Sequence, residues 1–122
     1  GDGGRGLDEG IERGVPLIIH AHGDNQTALE SLISKLEDCP ISLTHQTHHE
    51  IRGMRNPGGF TDGDRAACIA ISMGVKVSRI DLLGTRSDVV GKYSGATDPK
   101  RKLEKLVWMK NVLEELGFEG IR

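Results

Sequence analysis

Short apolar runs alternate with amphipathic stretches along the chain. Residues 7–13 predict a short helix closed by Gly14. Residues 15–19 (VPLII) are wholly apolar and partly β-branched, which suits a strand buried on both faces of a parallel sheet. The run stops at His20. Between 26 and 36, Ala28, Leu29, Leu32, Ile33 and Leu36 recur at helical spacing, with Asp24 or Asn25 as the N-cap. Pro40 breaks this helix, and residues 41–44 (ISLT) give a brief second strand. Residues 45–59 read as irregular, ending in the turn signal NPGG. Thr61 with Asp64 three residues later has the capping-box pattern. It starts a helix over 62–73, with Ala66, Ala67, Ile69, Ala70 and Met73 facing inward and Gly74 at its end. Residues 77–83 predict a third strand and 85–97 a loop. The last helix opens on Asp98 and Pro99 and runs to 116, with Leu103, Leu106, Val107, Leu113 and Leu116 on one stripe. Trp108 and Met109 read as packing residues. Strands alternating with helices predict an α/β fold with a mainly parallel sheet.

Composition narrows the class of protein. The 122 residues suit one domain, 1–122, with a core large enough to fold without disulfides or metal. Aromatic residues make up 3% of the chain, so the core must be aliphatic and stacking surfaces for single-stranded nucleic acid are few. A formal net charge of −2 gives no electrostatic attraction to nucleic acid or membrane. No apolar run approaches the ~20 residues that span a bilayer, and there is no signal-peptide pattern. The two cysteines, Cys39 and Cys68, have no metal-like spacing and read as free thiols, which suits the cytoplasm.

In open parallel sheets, ligands bind beyond the carboxyl ends of the strands. The first strand end carries His20, His22, Asp24 and Asn25. The second carries Thr44, His45 and Gln46, and the expected third carries Gly84, Thr85 and Arg86. The glycine-rich segment 58–65 (GGFTDGDR) leads into a helix whose N-terminus belongs at the same edge. The two motifs, HAHGDN and GGFTDGDR, are therefore expected to line one polar site. His20 and His22 fall on one side of an extended chain and, with Asp24, have the donor types of a divalent metal site. Asp24 alone suits hydrated Mg²⁺. Gly58 and Gly59 allow close backbone approach to an anion at the helix N-terminus, and Arg65 has the forked geometry of a phosphate clamp. Asp62 and Asp64 would repel a bare phosphate but suit a metal–phosphate complex. The bland alternatives are a helix cap at Asp24–Asn25 and an acidic first turn at Asp62–Asp64. Gln46 suits a heterocycle edge. Lys92, Tyr93 and Ser94 offer a cation, a ring and a hydroxyl.

Taken in order and spacing, HAHGDN (20–25), THQ (44–46), NPGGFTDGDRA (56–66), LLG (82–84), VGKYS (90–94) and KLEKL (102–106) resemble the archaeal 6-hydroxymethylpterin pyrophosphokinase family. That family is related to the thiamin pyrophosphokinase catalytic domain. The resemblance runs from about Gly14 to Leu116. It implies a Rossmann-like three-layer fold and Mg²⁺-dependent transfer of pyrophosphate from ATP to 6-hydroxymethyl-7,8-dihydropterin, leaving AMP, in folate or methanopterin synthesis. It implies Asp24 as metal ligand, with Asp62, Asp64 and Arg65 as further catalytic groups. His20, His22, Asn25, Thr44, Gln46, Gly58, Gly59, Phe60, Thr61, Lys92, Tyr93 and Ser94 would then contact substrate or nucleotide. Its partners would be ATP and a pterin, without nucleic acid or membrane, and a homo-oligomer is compatible with it. The family carries a further acidic motif on an upstream strand. The opening GDG reads as its tail, so this chain is expected to be the C-terminal part of a longer protein, lacking an N-terminal strand. Residues 85–88 (TRSD) depart from the family's usual Met-Asp after the glycine. Two other readings stand beside this one: a metal-dependent hydrolase using His-x-His-x-Asp, and a non-catalytic nucleotide- or pterin-binding domain.

Overall fold

A computed structural model describes residues 5–23, 25–91 and 98–122. The chain divides into two units, residues 1–56 and 57–122.

The first unit contains helix α1 (Arg5–Glu12), strand β1 (Leu17–His20), helix α2 (Gln26–Leu32), strand β2 (Ile41–Thr44) and strand β3 (Met54–Arg55). Helix α1 ends where Gly14, at φ +60°, reverses the chain. Gly10 is buried, and a Cβ there would come within 3.0 Å of the Leu17 side chain, so α1 lies close against the start of β1. The strands form a parallel sheet in the order β1-β2-β3. His20 stands level with Thr44, and Thr44 with Arg55. Alternation along each strand places Leu17, Ile19, Ile41, Leu43 and Met54 on one face and Ile18, His20, Ser42, Thr44 and Arg55 on the other. The first face is wholly apolar, and the second turns polar toward the strand ends. The helix expected over 26–36 tightens after Leu32 into a 3₁₀ turn, Ile33–Lys35, beyond which Leu36 is still buried.

The second unit contains α3 (Asp62–Ser72) and α4 (Pro99–Glu115). Its core is Ala67, Leu106, Met109, Leu113, Phe118 and Ile121. Both helices end in a Schellman motif. The N–H of Val75 reaches the carbonyl of Ala70 and that of Phe118 reaches Leu113, each across a glycine at positive φ. The Asp98 side chain caps α4 by accepting from the Arg101 N–H.

Two expectations change here. Residues 77–83 are not a strand. Val77–Arg79 is a 3₁₀ turn, and Val77, Ile80 and Leu82 pack partly buried against the helical core. Val77 and Ile80 are three apart, a spacing that such a turn places on one side. The third strand is β3 instead, inside the stretch read as irregular. The helix stripes are also narrower than expected. On α4 the buried positions are Leu106, Met109 and Leu113, while Leu103, Val107 and Trp108 are exposed. On α3, Ala67 and Cys68 are buried and Met73 is exposed. Among the described residues, no helix is long and apolar enough to cross a membrane.

Candidate functional site

The HAHGDN motif follows directly from how β1 ends. His20 is its last residue and is buried, as is Thr44 at the end of the adjoining β2. Their shared face brings His20 Nδ1 to 3.0 Å from Thr44 Oγ1. The Thr44 hydroxyl has one proton and lies 3.4 Å from the Ile19 carbonyl. Nε2 of the His20 ring lies 3.5 Å from Gln46 Oε1, and the tautomer of the ring decides which of its nitrogens donates. The His22 ring lies 5.9 Å from that of His20, tilted by 35°.

Asn25 braces the turn between β1 and α2. Its amide donates to the His20 carbonyl at 2.8 Å, and its Oδ1 accepts from the His22 N–H at 3.2 Å. It stands at the N-cap position but makes no side-chain cap bond to α2. The carboxyamide that sequence reading offered to the helix is thus used on the preceding loop. Gly23, at φ +91°, gives that loop its reversal.

His20, Asn25, Thr44 and Gln46, singled out from sequence, therefore come together at the strand ends with His22. Arg55 joins them in register beside Thr44 and was missed, because a two-residue strand carries no periodic signal. The neighbouring histidines do something else. His45 is buried, and its Nδ1 accepts from the Thr47 N–H at 3.3 Å. His48 and His49 are exposed, with ring centroids 5.1 Å apart. Among the described residues, no group of three or more His, Cys, Asp or Glu side chains is placed to hold a metal ion. Asp24, Lys92, Tyr93 and Ser94 lie outside the described residues.

The GGFTDGDR motif belongs to the second unit. The capping box read from Thr61 and Asp64 is present. Asp64 is fully buried, and its carboxylate accepts from the Phe60 N–H, the Thr61 N–H and the Thr61 hydroxyl, each at 2.6 Å. Arg65 is 4% exposed and donates from Nη1 to the Gly58 carbonyl at 3.1 Å. Gly59, at φ +90°, passes so close to Arg65 that a Cβ would lie 2.4 Å from the Arg65 Cα. The loop is thus pinned from both sides onto the first turn of α3. Asp62 and Phe60 are exposed, whereas Asp64 and Arg65 are turned inward. Burial raises the Cys68 thiol pKa, and the Asp64 carboxylate adds to the effect. In the TRSD segment, Arg86 makes a two-pronged ion pair with Asp88, 2.8 Å on each prong. That hydrogen bonding holds the Asp88 carboxyl down to about 2.

These features define an α/β protein with a polar cluster at the carboxyl ends of parallel strands and a separately built, glycine-rich helix cap. Its relatives make the definition more specific. The chain is 34% identical over 121 residues to the 6-hydroxymethyl-7,8-dihydropterin pyrophosphokinase of Methanothermobacter thermautotrophicus, spanning 92% of this chain and 50% of that protein. It is 35% identical over 123 residues to the protein of that name from Pyrococcus furiosus, spanning 95% of this chain and 50% of that one. With the Methanocaldococcus jannaschii protein it shares 30% identity over 120 residues, 90% of this chain and 49% of that one. The chain is thus similar to the archaeal 6-hydroxymethyl-7,8-dihydropterin pyrophosphokinases, and it spans about half the length of these relatives. No protein-family model and no solved structure matches it.

Proposed function

We propose that the protein transfers pyrophosphate from ATP to 6-hydroxymethyl-7,8-dihydropterin. The observation that carries this reading is its similarity, over nine-tenths of its length, to three proteins bearing that activity's name. The strand-end cluster of His20, Asn25, Thr44 and Gln46 supports it, being a polar site where an α/β sheet binds ligands. The same reading takes the three strands as part of a Rossmann-like, three-layer sheet.

In the reaction, the hydroxymethyl oxygen attacks the β-phosphorus of ATP. A new O–P bond forms, the bond from the β-phosphorus to the oxygen bridging it to the α-phosphorus breaks, AMP leaves with that oxygen, and the hydroxyl proton passes to solvent. Such transfers depend on positioning and charge neutralisation more than on covalent help. His20 and Gln46 present polar atoms to substrate, while Asn25 fixes the loop that carries His22. Asp64 and Arg65 we assign to holding the 58–61 loop, because the Asp64 carboxylate takes three donors there and Arg65 Nη1 reaches the Gly58 carbonyl. Mg²⁺, which takes one or two carboxylates and keeps its waters, supplies charge neutralisation on phosphates when bound. Asp24 is the residue assigned to it. Exposed Asp62 is a carboxylate of the kind that suits such an ion, and Asp64 does not fit, since both its oxygens are committed.

The test incubates the protein with ATP and 6-hydroxymethyl-7,8-dihydropterin, resolving products by chromatography. AMP and pterin diphosphate in equal amounts are expected, with loss of both on chelation of Mg²⁺. ADP or free phosphate in place of AMP would overturn the assignment.

A further inference from the structure

Helix α4 carries its charges at the wrong ends. The N-terminal end of a helix favours anions and the C-terminal end favours cations. In α4, Lys100, Arg101 and Lys102 fill the first turn, which holds no acidic residue. Glu114 and Glu115 close the last turn, which holds no basic residue. The Asp98 cap offsets only one of the three cations. Lys110 reaches Glu114 at 3.8 Å, a loose, solvated pair worth little. In a helix left to water this order of charges forgoes stability at both ends, and a partner helix of opposite polarity would recover it.

The charged ends lie on the side of α4 that faces water. Leu106, Met109 and Leu113 turn the other side into the core. At about 100° per residue, the outer side is centred between Val107 and Trp108. It runs through Lys100, Arg101, Glu104, Asn111, Glu114 and Glu115, all exposed. Val107 and Trp108 are 52% and 58% exposed, and the Phe60 ring, 6.3 Å from that of Trp108, widens the apolar centre. Exposure alone singles out no side chain here, since Met73 and Leu83 are more exposed. Symmetry does. Lys100 and Arg101 precede the Val107–Trp108 midpoint by as many residues as Glu114 and Glu115 follow it, about 10 Å along the axis on each side. A two-fold axis through that midpoint lays the basic end of one α4 over the acidic end of another and sets Val107 against Trp108. Such an axis repeats every contact, so both ends are matched at once.

We propose that the outer face of α4 is a homodimer interface, on which two copies of this chain pair antiparallel about a two-fold axis between Val107 and Trp108. Each basic end then lies beside the acidic residues and the negative dipole end of its partner. A parallel pair would set like charges together, which is costly. One helix face is smaller than the roughly 800 Å² per partner of a standard complex, so the dimer is weak and, being matched through exposed charges, sensitive to salt.

The test is sedimentation over a series of protein concentrations at low and high salt. A monomer–dimer equilibrium is expected, weakened by salt. Trp108, the one tryptophan, should shift its emission to the blue as the dimer forms. Lys100→Glu with Arg101→Glu in one chain, and Glu114→Lys with Glu115→Lys in another, should each weaken the dimer about tenfold or more. Both changes suit the helix dipole, so each monomer should melt no lower than the unmodified one, which separates loss of pairing from loss of folding. An equimolar mixture of the two variants should dimerise again. So should a chain carrying all four substitutions, whose net charge equals that of the unmodified chain and whose parallel pairing would still oppose like charges. A monomer at every concentration, with the face bare or taken by another segment, would overturn the proposal. So would a dimer that neither charge reversal weakens, or a mixture or fourfold variant that stays monomeric.

Discussion

Replacing Gly59 with alanine tests how tightly the 58–61 loop is built. The new Cβ would lie 2.4 Å from the Arg65 Cα, 2.6 Å from its N and 2.8 Å from its Cβ. Unstrained carbon contacts fall at about 3.5–4.0 Å, so these overlaps with backbone cannot be relieved by a side-chain rotation. Positive φ adds roughly 1–2 kcal/mol for an L-residue. Relief requires the loop to lift from α3, which strains the bonds from Asp64 to Phe60 and Thr61 and from Arg65 to Gly58. Each hydrogen bond to a charged group contributes about 1.5–3 kcal/mol. Losing one or two of them brings the cost of Gly59→Ala to roughly 2.5–8 kcal/mol. Gly58→Ala is the control. It shares a φ near +90°, but its nearest neighbour is the Cys68 Sγ at an ordinary 3.7 Å. Its cost should stay at about 1–2 kcal/mol. Both substitutions restrict the unfolded chain equally, so the difference isolates the contact with Arg65. Urea unfolding followed by helical circular dichroism measures it. Equal destabilisation by the two alanines, within about 0.5 kcal/mol, would refute the packing argument.

The cap itself gives a second test: Asp64→Asn should cost roughly 2–3 kcal/mol by turning an amide toward three donors, and Thr61→Ala about 1 kcal/mol. Because the two residues share one network, the double variant should lose less than the sum in the same urea assay. Cys68 should resist a thiol-specific reagent until the protein unfolds, while partly exposed Cys39 reacts first; equal rates would count against its burial. Its folded pKa lies above the ordinary 9.0, so the associated stability is complete below about pH 9 and is lost as pH rises through the folded value. Cys68→Ala should therefore flatten the alkaline end of a stability–pH profile. Asn25→Ala removes both bonds across the 20–22 turn and should lower the rate of AMP formation about tenfold or more through misplacement of His20 and His22. An unchanged rate would remove Asn25 from the positioning of the site.

What could be read from the chain was whatever local chemistry decides alone. The capping box at Thr61, the Asp98–Pro99 helix start and the glycine stops at 14, 74 and 117 all depend on neighbours a few residues away, and all are present. The strand 41–44 has the boundaries its apolar run suggested. Features that depend on distant partners were not legible. Residues 77–83 have a strand's composition, yet Val77, Ile80 and Leu82 gain more by packing on the helical core. Met54–Arg55 has almost no signal, and it is a strand because β2 offers it an edge. Trp108 was read as a packing residue because large aromatics are normally buried. Which face α4 turns inward is set by Ala67 on α3 and by Phe118 and Ile121 beyond its own end, which no window on α4 contains.

The candidate site shows the same division at the level of chemistry. A glycine pair, two aspartates and an arginine suggest a metal and phosphate apparatus when written as GGFTDGDR. Folded, the buried half of that set acts on the chain itself. Asp64 gathers three donors and Arg65 reaches the Gly58 carbonyl through Nη1, so both brace the loop. A carboxylate with that many donors would have to give up bonds to bind a metal ion. What the motif turns outward is Asp62 and the Phe60 ring. Under the proposed function, the rigidity given by Asp64 and Arg65 holds the loop in place before any ligand arrives. The strand-end cluster is braced in the same way: Asn25 bonds the His20 carbonyl and the His22 N–H, and Thr44 Oγ1 lies 3.0 Å from His20 Nδ1, so the chain leaving β1 is held by its own side chains.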